Sequence, residues 1–241
     1  MYTDNVAFTK ANLDGCLSKL AKEFRRQNGK QVSAEIILIG GAAVLTNYGF
    51  RNMTYDVDAI IRANASMKEA INKIGDELGL PNNWLNSDFI RTKSYSPRLV
   101  QYSKYYKKFG GILEVRTVSG EYLVAMKLMS GRQYKNDISD VVGILYEEKN
   151  RNNPLTFEKI KAAVENLYGN YDILPQESKQ LIEELMTENQ IENLYEIYRN
   201  RELSTKEALL DFEKRYPKAT NTDNVNEIIA QLKQRKSQED L

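Results

Sequence analysis

The sequence predicts an α+β protein, with a mixed sheet flanked by helices over residues 1–150 and an all-helical bundle over 151–241. Three observations predict it. Apolar runs of strand length occur only in the first part, interleaved with amphipathic segments of helix length. A polar run, Glu147-Glu148-Lys149-Asn150-Arg151-Asn152-Asn153, ends at Pro154 and marks the boundary. Beyond it the apolar residues recur at helical spacing throughout, and no segment alternates as a strand does.

Taken in order, residues 5–27 bring Leu13, Leu17, Leu20, Ala21 and Phe24 to one side of a helix that Gly29 and Lys30 end. A strand begins near Ser33, and Ile36-Ile37-Leu38-Ile39 reads as its buried part. After Gly40 and Gly41 a short helix is expected over 42–47, then a second apolar strand over 57–61. Ser66 caps a helix over 66–78, with Met67, Ala70, Ile71, Ile74 and Leu78 inward, and Gly79-Leu80-Pro81 stops it. Between 81 and 98, Trp84, Leu85, Phe89 and Ile90 are expected to cover the sheet from a loop or short helix. Residues 100–106 and 112–118 read as two strands joined by a turn at Phe109-Gly110-Gly111. Helices are expected over 121–132, 136–146, 156–167, 175–186, 191–199, 205–215 and 224–233, with a polar tail at 234–241.

Composition narrows the chemistry. The chain is 41% hydrophobic and 28% charged, enough apolar material for a core. Its net charge of +1 carries no global footprint of a nucleic-acid-binding protein. Cys16 is the single cysteine, which excludes an internal disulfide and a cysteine-rich zinc site and fits a reducing compartment. No run approaches the roughly 18 apolar residues of a membrane span, and the N-terminus lacks the basic start and apolar core of a signal peptide. A soluble, cytoplasmic protein with no membrane partner is therefore expected. Histidine is absent, which removes Ser-His-Asp and Cys-His hydrolysis and His-ligated zinc. The chemistry must run on carboxylates, Lys, Arg, Tyr, Ser or Thr.

One stretch assembles such groups. Asp56 and Asp58 are one residue apart at the start of a strand, so on extended backbone both carboxylates leave the same face. Two like charges side by side call for cations, and hard divalent metals prefer such oxygen ligands. Gly40 and Gly41, at a strand-to-helix turn, leave backbone amides open to a phosphate. Further on, Lys127 lies among apolar residues, where an ammonium needs an anionic partner. Asp137 and Asp140 open the next helix, a position that also suits simple capping. The segment Lys104-Tyr105-Tyr106-Lys107-Lys108 suits base stacking with phosphate pairing, and equally a hairpin edge that lysines protect.

Gly40-Gly41 followed by Arg51-x-x-Thr54-x-Asp56-x-Asp58 resembles the signature of the polymerase-β-like nucleotidyltransferases. The resemblance is nearest to the AbiEii-like branch, which includes nucleotidyltransferase toxins of toxin–antitoxin pairs. The block Glu121 to Arg132, then Asn136 to Val141, adds the branch's Leu-x-x-x-Lys-Leu helix, Gly-Arg and Asp-x-x-Asp. The resemblance implies a minimal nucleotidyltransferase domain and transfer of a nucleoside monophosphate from a nucleoside triphosphate to a hydroxyl. It assigns Asp56 and Asp58 to two Mg²⁺ or Mn²⁺ ions and to catalysis. Glu114 is the candidate for the third metal carboxylate, although the family more usually has Asp there and a strand also needs outward polar residues. Gly40, Gly41, Arg51, Thr54, Lys127, Arg132 and Asp137 are assigned to the nucleotide, Lys127 also to catalysis. An RNA or tRNA end, or a protein, is the implied acceptor, and an antitoxin an implied partner. The alternative is a catalytically silent nucleotide- or partner-binding module of the same fold. A dinucleotide-binding turn is disfavoured, since Val44 and Leu45 stand where its third glycine would fall, and the Walker pattern is absent.

Overall fold

The computed structural model describes residues 6–132, 136–187, 191–216, 219, 224, 225 and 227–232. The polar tail expected at 234–241 lies outside them. Contacts group the chain into two compact units, residues 1–126 with 155–173 and residues 127–154 with 174–241.

The first unit is built on a five-stranded sheet of order β3-β2-β1-β5-β4. Its strands are β1 (Ala34–Leu38), β2 (Val57–Arg62), β3 (Leu85–Asn86), β4 (Ser103–Phe109) and β5 (Leu113–Val118). The sheet is mixed: β1 runs antiparallel to β2 and parallel to β5, β3 is parallel to β2, and β4 is antiparallel to β5. Helix α1 (Lys10–Asn28) starts at a reciprocal cap, in which Thr9 Oγ1 accepts from the Asn12 amide and Asn12 Oδ1 from the Thr9 amide. It packs beside α3 (Ser66–Leu78), and Leu13, Leu17, Leu20 and Phe24 are fully buried. Its Asp14 takes Lys107 Nζ at 3.0 Å. The Tyr106 hydroxyl donates to the same Asp14 at 3.0 Å, so α1 is tied to the edge strand β4. Edge strand β4 is irregular between Tyr105 and Lys107, which blunts it against further pairing. Strand pairing starts at Ser103, because Pro97–Val100 winds into a 3₁₀ turn where extension is expected from 100.

Helix α6 (Phe157–Tyr168) belongs to this unit. The Ser96 hydroxyl donates to the Leu167 carbonyl at 2.7 Å, and the Tyr168 hydroxyl donates to Ser94 O at 2.7 Å. Helix α4 (Gly120–Ser130) begins in the first unit, and Lys127 opens the second.

The described part of the second unit is helical, with α5 (Asp137–Asn150), α7 (Gln176–Thr187) and α8 (Ile191–Arg215). The sequence suggests a break near Ser204-Thr205, but α8 runs through. Thr205 Oγ1 donates to the Arg201 carbonyl at 2.8 Å, a bond to its own helix in place of a cap. Among the described residues no helix is long and apolar enough to cross a membrane.

Candidate active site

The apolar strand β1 delivers the chain to Ile39, whose amide donates to the Asp58 carbonyl of β2 at 3.0 Å. The turn that follows becomes α2 (Gly40–Asn47), so the two glycines form its first turn. Asn47 Nδ2 anchors the far end by donating to the Val118 carbonyl at 2.8 Å. Gly40 has φ +53°, a left-handed conformation that side chains resist. A Cβ on it would stand 3.6 Å from Asp58 Oδ2. A Cβ on Gly41 would meet Thr54 Oγ1 at 2.7 Å and Arg51 Nη2 at 3.0 Å. The absence of a Cβ at Gly41 therefore lets Thr54 and Arg51 pack directly against the turn, and Gly40 brings it close to the Asp58 carboxylate.

Thr54 is fixed by its backbone, which pairs with Phe8 in both directions at 2.6 and 2.9 Å. Its hydroxyl lies 3.3 Å from Asp56 Oδ1 and 3.2 Å from Asp56 O. Arg51 Nε donates to the Met53 carbonyl at 3.1 Å. Val57 opens β2 and is fully buried; Asp58 follows it in the strand, and Asp56 stands just before the strand begins. Asp56 is exposed and Asp58 half-buried. The structure thus brings Gly40, Gly41, Arg51, Thr54, Asp56 and Asp58 together. Among the described residues no group of three or more Asp, Glu, Cys or His forms a ready metal cage. Two carboxylates beside a glycine turn are a donor set of the kind magnesium takes, since it binds through one or two carboxylates and draws its other ligands from water and substrate phosphates.

In the second unit, Lys127 is 9% exposed and donates to Asp137 Oδ1 at 2.7 Å; its Nζ lies 2.8 Å from Asp140 Oδ2. The anionic partner that its apolar setting demands is therefore a pair of carboxylates. Arg132 Nε donates to Asp137 Oδ2 at 2.9 Å. Burial pushes the Asp137 carboxyl upward, but the Lys127 ammonium and Arg132 guanidinium overcome this and hold it well below the usual carboxylate range. Lys127, Leu128, Asp137 and Val141 line a cavity of about 310 Å³, which α7 closes with Ser178 and Leu181.

Residues 15–182 match a family described as "Nucleotidyltransferase of unknown function (DUF6036)". The chain belongs to this nucleotidyltransferase family. The matched segment holds both groups just described. No curated protein and no solved structure gives a match.

One residue assigned by resemblance to a nucleotidyltransferase metal site stands elsewhere. Glu114 pairs with Glu35 of β1, and Glu35 pairs with Arg62 of β2, four residues along the strand from Asp58. That is about 13 Å at the rise of a strand. There Glu114 Oε1 accepts from Arg116 Nη1 at 3.1 Å, in a charged group with Glu35 and Arg62. The structure does not bring Glu114 to Asp56 and Asp58. Alternation along a strand reveals which residues share a face. It does not reveal which end a neighbouring strand brings into line.

Sequence reasoning also missed Glu202, which is 3% exposed on α8. Reading helices at 191–199 and 205–215 left it in a polar link between them. The signal that could have found it is the unbroken helix, which places an acid on the same turn as the inward Thr205.

Proposed function

We propose that this chain is a metal-dependent nucleotidyltransferase, moving a nucleoside monophosphate from a nucleoside triphosphate to a hydroxyl acceptor. The observation that carries the reading is the close approach of the Asp58 carboxylate, Thr54 and Arg51 to the glycine turn that opens α2, which only residues without a Cβ permit. Backbone amides at the first turn of α2 are suited to receive phosphate oxygens, and the helix dipole favours the anion. Asp56 and Asp58 would hold Mg²⁺ or Mn²⁺. When bound, such ions neutralise charge on the triphosphate and lower the pKa of a coordinated hydroxyl. Arg51 contributes a fixed positive charge beside the cradle, and Thr54 orients Asp56. Lys127, Arg132 and Asp137 are assigned to the nucleotide on the resemblance of their helix alone, since Lys127 is already paired with Asp137 and Asp140. We place the chain in the AbiEii-like branch on the same resemblance. An RNA end, such as a tRNA 3′ terminus, or a protein hydroxyl is the acceptor in this reading, and an antitoxin is the partner of a toxic member.

The position of Glu114 favours a second reading. With two carboxylates at the site and the third elsewhere, a silent module that binds nucleotide without transfer has a specific observation behind it.

Incubation with each labelled nucleoside triphosphate, Mg²⁺ and total cellular RNA separates the two, beside an Asp56→Ala/Asp58→Ala double variant. Label on RNA with the unaltered protein alone supports transfer to RNA, and label on protein supports protein modification. Tight nucleotide binding with no label on any acceptor selects the silent module.

A further inference from the structure

The first turn of α5 has no cap from its own sequence. Asn136, at the N-cap, makes no side-chain hydrogen bond to the turn, although the leading amides of a helix need acceptors. The acceptor comes from α8. Glu202 Oε1 accepts from the Ile138 amide at 2.8 Å and from the Ser139 amide at 3.4 Å, and Oε2 lies at 3.4 Å from the same Ser139 amide. Ile138 and Ser139 lie between Asp137 and Asp140, the two acids that hold Lys127. Captured amides and holding carboxylates share one turn of helix. If that turn frays, both carboxylates move off the ammonium.

We propose that Glu202 is a positioning residue: by capping α5 it fixes Asp137 and Asp140 around Lys127. It thereby makes α8, which lies beyond the family-matched segment ending at residue 182, part of the machinery that segment carries. The functional half of this inference rests on the nucleotidyl-transfer reading; the capping half stands on geometry alone.

Packing cannot be the reason for a carboxylate here. A buried acid is costly, and a methionine would fill similar space without that cost. Burial pushes the Glu202 carboxyl up to about 7, Asp140 adds to the rise, and the Ser139 and Ile138 hydrogen bonds pull against it. The charged and titratable groups gathered around this turn are Asp137 and Asp140 on α5, Lys127 on α4, Arg132, and Tyr195 and Arg199 on α8 itself. Glu202 accepts from the Ile138 and Ser139 amides and bonds the Ser139 side chain as well, all in the first turn of α5, so its acceptor oxygens explain its presence.

The test compares Glu202→Gln, which keeps an acceptor oxygen, with Glu202→Met, which keeps similar length and loses it. In the full-length protein, amide hydrogen exchange at Ile138 and Ser139 is read against Ile144 and Leu145 in the same helix. E202M should speed exchange at Ile138 and Ser139 about fivefold, the size of a lost cap, while E202Q stays within about twofold of the unaltered protein. Asp56-dependent label transfer should fall by a similar factor in E202M and be retained in E202Q. Equal behaviour of the two variants, whether both unchanged or both accelerated, overturns the proposal. If E202M does not fold, E202Q decides, since accelerated exchange there despite its acceptor refutes the cap. A protein with no Asp56-dependent transfer removes the functional reading, and the exchange comparison still decides the cap.

Discussion

The hydroxyl oxygen of Thr54 stands 2.7 Å from the point where a Cβ on Gly41 would lie. Thr54 cannot retreat easily, because its backbone is paired with Phe8 on both sides. Gly41→Ala is therefore expected to displace Thr54 and Arg51 and to cost nucleotide binding at least tenfold by calorimetric titration. Gly15→Ala is the control. Gly15 lies within α1 with open space around it, and its replacement should raise stability by about 1 kcal/mol by removing backbone freedom from the unfolded chain.

The two aspartates should behave as ligands and not as struts. Asp56 is exposed and Asp58 half-buried, so Asp56→Asn and Asp58→Asn are expected to leave the unfolding free energy in urea within about 0.5 kcal/mol of the unaltered value. Each should abolish the Mg²⁺-dependent rise in melting temperature that a bound nucleoside triphosphate confers. A rise that survives in both variants would show that Asp56 and Asp58 do not hold the metal.

Lys127 makes the opposite prediction. Removing a cation from between two buried carboxylates leaves uncompensated charge, so Lys127→Met should destabilise the fold by about 3–5 kcal/mol in urea unfolding. Adding Asp137→Asn should recover part of that loss, because one orphaned charge is then gone. The two changes are in contact and should be clearly non-additive.

The pH dependence of stability has two separate windows. Glu202 has a folded pKa raised from 4.5 to about 7, so its contribution is fully present below pH 4.5 and is lost as pH rises through 7. Glu202→Gln should flatten that decline in denaturation experiments between pH 4.5 and 7. Glu23 is held at about 2, chiefly by its hydrogen bonds from Arg26, with Gln27 and Lys73 adding to them. Its contribution is present above pH 4.5 and is lost as pH falls toward 2. Glu23→Gln should act in that acid window alone.

Much of the first unit could be read from the chain. The apolar runs of β1 and β2, the glycine pair and the Asp-x-Asp follow from local rules, because strand alternation and turn chemistry act over a few residues. Lys127 could also be read, since an ammonium among apolar neighbours demands an acid within reach. Strand alignment could not: β1 lies between β2 and β5, and only that order reveals that Glu114 keeps company with Arg62. The continuity of α8 was hidden for a different reason. Ser204 and Thr205 have the chemistry of a cap, and whether a threonine caps a new helix or bonds back to its own depends on burial that the sequence does not display.

A protein without histidine has almost no side chains that exchange protons near neutrality, and the buried carboxyl of Glu202 changes that. At pH 6 the folded chain keeps this proton, while the unfolded chain, with an ordinary glutamic acid, has given it up. Unfolding then releases close to one proton into the solvent from this group. The heat absorbed on melting at pH 6 accordingly includes the enthalpy of protonating whichever buffer receives it, and scans in phosphate and in imidazole should differ by about the difference between the two buffers' ionisation enthalpies for one proton.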